Sequence, residues 1–252
     1  MLGALGVFVL QACQARPAPP TPSPGAPPAP SVVAAPPTAS ASAEARAESG
    51  PIRMETLGAG SWGPVFVMRG GPRGPGRMAF LHGMCGHGLG YAQAFQFSAA
   101  KKGTLIAPQG DVSCGGVFSR WSGDTTALDA RIVQTFAALL PADDAAEVAI
   151  MGMSQGADRA VALATRFPHR YTRLISMDAP TALKPGQLRS LRAAVMMAGE
   201  RDRQDLMRQS AQALKASGVP VTFLVIPQAG HGAMGPTPEE TMGAALDWLW
   251  AH

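Results

Sequence analysis

Six short stretches constrain the fold of this chain more than any other feature: MAFLHGM (78–84), TLIAPQG (104–110), EVAIMGM (147–153), RLISMDA (173–179), AAVMMAGE (193–200) and VTFLVIPQ (221–228). Each is nearly continuously apolar. A strand with one wet face alternates apolar and polar residues, whereas a strand covered on both faces does not. Between these runs lie segments of helical character at 89–101, 125–140, 155–167, 203–217 and 238–251. The last opens with Pro238, Glu239 and Glu240, residue types that suit a helix N-terminus. Strands alternating with helices predict a doubly wound, mostly parallel α/β sheet. Ahead of the alternation, IRMETL (52–57) and PVFVMRG (64–70) read as an antiparallel hairpin, which brings the sheet to about eight strands.

The sheet accounts for residues 51–252, a single domain of ordinary size. Residues 14–50 contain only Gln, Ala, Arg, Pro, Thr, Ser, Gly, Val and Glu, with runs such as PAPPTPSPGAPPAP. Such a composition buries too little apolar surface to offset chain entropy, and its prolines favour an extended spacer. Residues 1–13, MLGALGVFVLQAC, carry an apolar run too short to span a bilayer and suited to a secretory signal. The Leu-Gln-Ala before Cys13 resembles the cleavage box of bacterial lipoproteins, in which that cysteine is lipidated; no Lys or Arg precedes the run. The expectation is an exported cell-envelope protein held at a membrane through Cys13. The net charge of +4 is modest. The arginines are scattered and do not interleave with aromatics, which argues against a nucleic-acid partner.

In open α/β sheets chemistry gathers at the carboxyl ends of the strands. At one such end, EVAIMGMSQGADR carries Gly152-Met153-Ser154-Gln155-Gly156, a G-x-S-x-G between a buried strand and a helix. The flanking glycines let strand and helix approach, and the turn raises a serine at a helix N-terminus, where developing negative charge is favoured. A serine hydroxyl needs a base. His231, in the flexible Gly230-His231-Gly232 loop after the last strand, suits that role better than His169, which ends the helix after Ser154, or the terminal His252. The base in turn needs an orienting acid. Asp202 follows the penultimate strand and Asp178 ends the one before it; Asp202 is preferred for the order Ser, Asp, His, with Asp178 the alternative acid. Glu200 and Asp205 read as solvated charges at a helix start.

With these positions in view the domain resembles the α/β-hydrolases over residues 52–250. The glutamine after the serine and the His-Gly loop after the third strand are similar to the small esterase, thioesterase and dienelactone-hydrolase branch. Only a short helix fits between the strands ending near 179 and 200, so no cap domain is expected and the site should be open. The resemblance implies that LHGMCGHG (81–88) supplies half of an oxyanion hole. Its donor would be the Met84 N–H, partnered by that of Gln155. The same stretch holds two histidines, His82 and His87, with no third ligand at metal-binding spacing, so no metal is expected. Nor does a triad mechanism call for an organic cofactor.

Cys85 and Cys114 sit at the ends of strands expected to be neighbours, and in an exported protein with Cys13 lipidated they form an even count. A Cys85–Cys114 disulfide is therefore expected. Phe118 and Trp121, in the loop with Cys114, either line a substrate pocket or pack a glycine-rich loop. The function expected is cleavage of a small or polymer-linked carboxylic ester through an acyl-enzyme. A thioesterase or peptidase on the same residues is an alternative, and a catalytically silent envelope binding domain is an alternative of another class.

Overall fold

A computed structural model describes residues 52–58, 63–70, 76–140 and 147–252. The signal-like segment, Cys13 and the Pro/Ala-rich stretch fall outside the described residues. The strands are β1 (Arg53–Leu57), β2 (Val65–Arg69), β3 (Gly76–Leu81), β4 (Gly103–Pro108), β5 (Val112–Gly115), β6 (Phe118–Arg120), β7 (Val148–Met153), β8 (Arg173–Met177), β9 (Ala193–Gly199) and β10 (Val221–Ile226). The helices are α1 (Gly88–Ala94), α2 (Gln96–Lys102), α3 (Thr125–Leu139), α4 (Gln155–Arg166), α5 (Gln204–Ala216) and α6 (Pro238–Ala251).

Eight strands form one sheet in the order β1-β2-β4-β3-β7-β8-β9-β10. The expected β1–β2 hairpin is present, and β2 runs antiparallel to β1 and to β4. All pairings from β4 to β10 are parallel. The continuous apolarity of the strands follows from burial on both faces. Ala79, Leu81, Ile106 and Ile150 pack with Leu128, Ile132, Ala160 and Leu163 of α3 and α4. Their neighbours Met78, Phe80, Leu105 and Met151 point the other way, toward Ala92, Ala99, Met242 and Leu246 of α1, α2 and α6. Successive side chains of one strand therefore serve two cores.

Several boundaries differ from the sequence reading. The apolar run 78–84 leaves the sheet at Leu81, and Met84 is 62% exposed. The expected helix 89–101 is two helices broken at Phe95, whose backbone (φ −132°, ψ 29°) is non-helical while its ring is buried edge-on against Phe80. The short helix expected between β8 and β9 is absent; residues 178–192 form turns. Leu183 N–H and Gly186 N–H donate to the Ser210 and Ser217 hydroxyls of α5 and its cap, which satisfies this backbone without a helix. That connection inserts no cap domain. The loop expected after β4 contains the β5–β6 hairpin, which pairs antiparallel through Val112–Arg120 and Ser113–Ser119.

Glu239 has a further role beyond starting its own helix. Its carboxylate accepts the Phe97 and Ser98 N–H groups, both at 2.9 Å, in the first turn of α2. An acidic side chain from α6 thus caps the positive end of a neighbouring helix.

Candidate active site

The parallel strands bring their carboxyl ends to one edge, and five of those ends carry the residues singled out above. β7 passes directly into α4 through Ser154, whose φ of 52° and ψ of −119° lie outside the helical and extended regions. This conformation is held by Ser154 N–H donating to Met177 O at 2.8 Å and by Ser154 O accepting from Ala157 N–H at 2.9 Å. The glycines on either side are sterically required. A Cβ on Gly152 would lie 2.2 Å from Gly156 O, and one on Gly156 would lie 2.0 Å from Leu81 O. Only glycine lets α4 sit this close to β3 and β7.

Ser154 Oγ lies 2.9 Å from His231 Nε2, and His231 Nδ1 lies 2.7 Å from Asp202 Oδ2. An ionised carboxylate only accepts, so Nδ1 carries the proton and Nε2 is left to accept the serine hydroxyl. His231 is 53% exposed at its side chain, and Asp202 is 16% exposed. Burial works to raise the Asp202 carboxyl, but hydrogen bonds from the Arg203 N–H and His231, together with the His231 charge, hold it below its ordinary value. The loop bearing His231 is fixed from several sides. Gly232 N–H donates to Asp178 Oδ2 at 3.1 Å, and Gly232 O accepts from the Tyr91 hydroxyl at 2.8 Å. Glu200, expected to be a free solvated charge, accepts the Gln228 N–H at 2.7 Å and so ties the Asp202 loop to the His231 loop. Asp205 is exposed and pairs with Arg203 at 3.0 Å.

Asp178 does not reach His231 Nδ1. Its side chain is turned beneath the site by a positive φ of 47°, and the residue is 2% exposed. Among the described residues, Asp178, Asp202 and His231 are the group whose potential ligand atoms converge, all within 4.8 Å of one another. Those atoms are already committed to each other and to the Gly199 and Gly232 N–H groups. His169 is exposed at the end of α4, away from this group.

The loop 82–88 lies against the nucleophile: a Cβ on Gly83 would stand 3.4 Å from Ser154 Cβ. His82 is fully buried within this loop. Its Nε2 accepts the Gly110 N–H at 2.9 Å, so Nδ1 bears the proton and donates to Gly83 O at 2.7 Å. Burial is the main cause of its pKa falling to about 4, with the Gly83 carbonyl opposing and His87 and Arg131 adding. His82 is therefore a neutral structural group at physiological pH. Cys85 and Cys114 form the expected disulfide, Cα to Cα 5.5 Å. It joins the loop to the β5–β6 hairpin, whose Ser119 N–H also donates to Gly86 O of the loop (3.2 Å). Gln109, which sequence reasoning passed over, centres this junction. Its amide Nε2 donates to Gly86 O and Val117 O, both at 3.0 Å, and to Ser119 Oγ at 2.8 Å.

Trp121 is 3% exposed; its indole N–H donates to His82 O at 2.8 Å, and its backbone N–H and C=O pair with the Gln155 side chain at 3.1 and 3.2 Å. It braces the loops beside the nucleophile. A small concavity lined by Trp121, Asp124, Leu128, Arg131 and Arg159 contains none of Ser154, Asp202 or His231. Phe118 has the opposite character. With Met84 and Val117 it is exposed, at 51%, 62% and 64%. These apolar side chains stand on the two segments that the disulfide links.

Neither a protein-family model nor a curated protein sequence matches the chain. Solved structures do. The chain is similar to a predicted CIB-like hydrolase from Thermoplasma acidophilum at 19% identity and TM-score 0.60, over 80% of this chain and 99% of that one. It is similar to fungal esterases from Rhizomucor miehei at 16% identity and TM-score 0.59, over 84% and 88%. An arylesterase matches at 16% identity and TM-score 0.58, over 80% and 86%. With the strand order above, these likenesses show the α/β-hydrolase fold.

Proposed function

We propose that this protein is a serine hydrolase that cleaves carboxylic esters through an acyl-enzyme. The observation that carries the reading is the relay from Ser154 Oγ to His231 Nε2, and from His231 Nδ1 to Asp202, on a strained strand-to-helix turn. Ser154 Oγ attacks the ester carbonyl while His231 takes its proton, and Asp202 holds the imidazole and stabilises the imidazolium. Charge developing on the carbonyl oxygen is met by the Gln155 N–H, which at the first position of α4 lies outside the intrahelical ladder, and by the Met84 N–H. His231 then returns the proton to the leaving alcohol. Water, activated by the same imidazole, attacks the acyl carbonyl and frees Ser154. The esterase and hydrolase names of the similar folds support the reaction class.

The exposed Met84, Val117 and Phe118 support a substrate with an apolar acyl or aryl part lying along the hairpin. The open site and the turn-only connection between β8 and β9 are compatible with esters presented on a polymer or surface. Export with lipidation at Cys13 belongs to the same proposal, and the exposed disulfide supports an oxidising compartment. Fatty-acid labelling that is equal in wild type and Cys13→Ala would remove the anchor from the proposal. The reaction is tested with p-nitrophenyl esters and thioesters of graded acyl length, using wild type and Ser154→Ala. The expected result is ester turnover that Ser154→Ala abolishes; equal rates in the two proteins would overturn the reading.

A further inference from the structure

Asp178 lies beside the proposed triad without being one of its members. Its Oδ1 accepts the Gly199 N–H at 2.9 Å from the end of β9, and its Oδ2 accepts the Gly232 N–H at 3.1 Å beside the base. One of its carboxyl oxygens, one of Asp202 and a ring nitrogen of His231 fall within 4.8 Å of one another. Two ionised carboxylates in such proximity repel strongly, and burial of one makes its charge more costly still. Asp202 is the less buried and receives the His231 N–H. Asp178 is almost inaccessible to solvent. The groups facing it are the two backbone N–H donors, Asp202, His231 and, from α1, Tyr91; among the described residues no lysine or arginine contacts it. We infer that Asp178 is a positioning residue whose carboxyl stays protonated and donates a hydrogen bond to Asp202, so that the two acids hold one negative charge behind His231.

The inference rests on the triad reading and deepens it. Burial raises the Asp178 carboxyl above its ordinary value, with the neighbouring Asp202 adding and the two backbone N–H groups opposing. A neutral donor beneath Asp202 spreads that carboxylate's charge and makes it less basic. It thereby limits how strongly Asp202 stabilises the imidazolium, and it fixes the carboxylate plane under Nδ1. The two backbone contacts give the same side chain a hold on both loops that carry the base and the acid.

The charge state fixes the sign of the experiment. His231 is followed by NMR of histidine-labelled protein across pH, in wild type, Asp178→Ala and Asp178→Asn. Removing a neutral donor concentrates charge on Asp202, so in Asp178→Ala the pH at which His231 loses its proton rises by about one unit. The acidic limb of kcat/KM moves with it. Asp178→Asn, which keeps an N–H donor, stays nearer wild type than alanine does. Were Asp178 an anion, both substitutions would delete negative charge and move the His231 titration to lower pH; that result overturns the inference, as does an unmoved titration. Should Asp178→Ala not fold, infrared difference spectra of wild type against Asp178→Asn decide. The C=O band of a protonated carboxylic acid at neutral pH is expected in wild type and absent in the variant, and its absence from wild type refutes the proposal. Neither spectroscopic readout needs turnover, so a failure of the hydrolase reading, seen as activity independent of Ser154, is distinguished from a failure of this one.

Discussion

Acidification should weaken this fold through one identifiable side chain, His82. The imidazole is fully buried against Trp121, ring centroids 4.9 Å apart, and both nitrogens are engaged as in a neutral ring. Burial lowers its pKa from 6.5 to about 4. Between those values the unfolded chain binds a proton that the folded chain refuses, so stability rises with pH through the window and is lost as pH falls from 6.5 toward 4. At about 1.4 kcal/mol per unit the loss comes to about 3 kcal/mol once pH 4 is passed. Urea midpoints of wild type and His82→Gln, collected from pH 7 to pH 4, isolate this contribution. The variant begins less stable, having lost the hydrogen bonds to Gly83 and Gly110, but its stability should fall less steeply. Asp158 and Asp178, both raised by burial, work with the opposite sign because the folded state gains protons there first. They are common to both proteins and cancel in the difference. Parallel pH curves for the two proteins would refute the argument.

Removing the Cys85–Cys114 bridge by Cys85→Ser with Cys114→Ser reopens a loop with a sequence separation of 29. The chain-entropy relation gives a loss of about 3.6 kcal/mol, read as a lowered denaturation midpoint. Asp202→Asn should leave the fold intact and reduce kcat by roughly 10⁴, since an amide favours the wrong imidazole tautomer; stopped-assay kinetics beside a thermal melt separate the two effects. Gly156→Ala drives a Cβ into the Leu81 and His82 carbonyls. It should cost about 1–3 kcal/mol by overpacking and displace the Ser154 turn, so urea midpoint and turnover should fall together.

The fold was legible because it is written redundantly. Five buried strands lack alternation, since Met78 and Ala79, or Phe80 and Leu81, each meet a helix-covered core on their own side of the sheet, whereas the equally apolar β10 is a partly buried edge strand. What was illegible depends on partners remote in sequence. Nothing local distinguishes one helix at 89–101 from two; the break at Phe95 comes from a ring that must reach Phe80. The β5–β6 hairpin is short and exposed, and it is fastened by Cys85 and Gln109 and not by its own apolar pattern. Glu239 caps a helix 141 positions away in the chain.

The two aspartates show how far strand-end reasoning goes. Asp178 and Asp202 follow adjacent parallel strands, so the pattern brings both to the same edge and offers either as the partner of His231. Their difference lies in backbone direction. Asp178 takes a positive φ immediately after β8 and turns under the site, where the Gly199 and Gly232 N–H groups hold it. Asp202 stands three residues beyond β9, long enough for Gly199 O to accept its N–H in a turn that lifts the carboxylate to Nδ1. The choice between them therefore does not leave one residue functional and the other idle. A carboxylate aimed at an imidazole from a loop needs something beneath it that neither repels it nor yields. A second acid does this only when uncharged, and burial at 2% exposure is the condition that keeps it so.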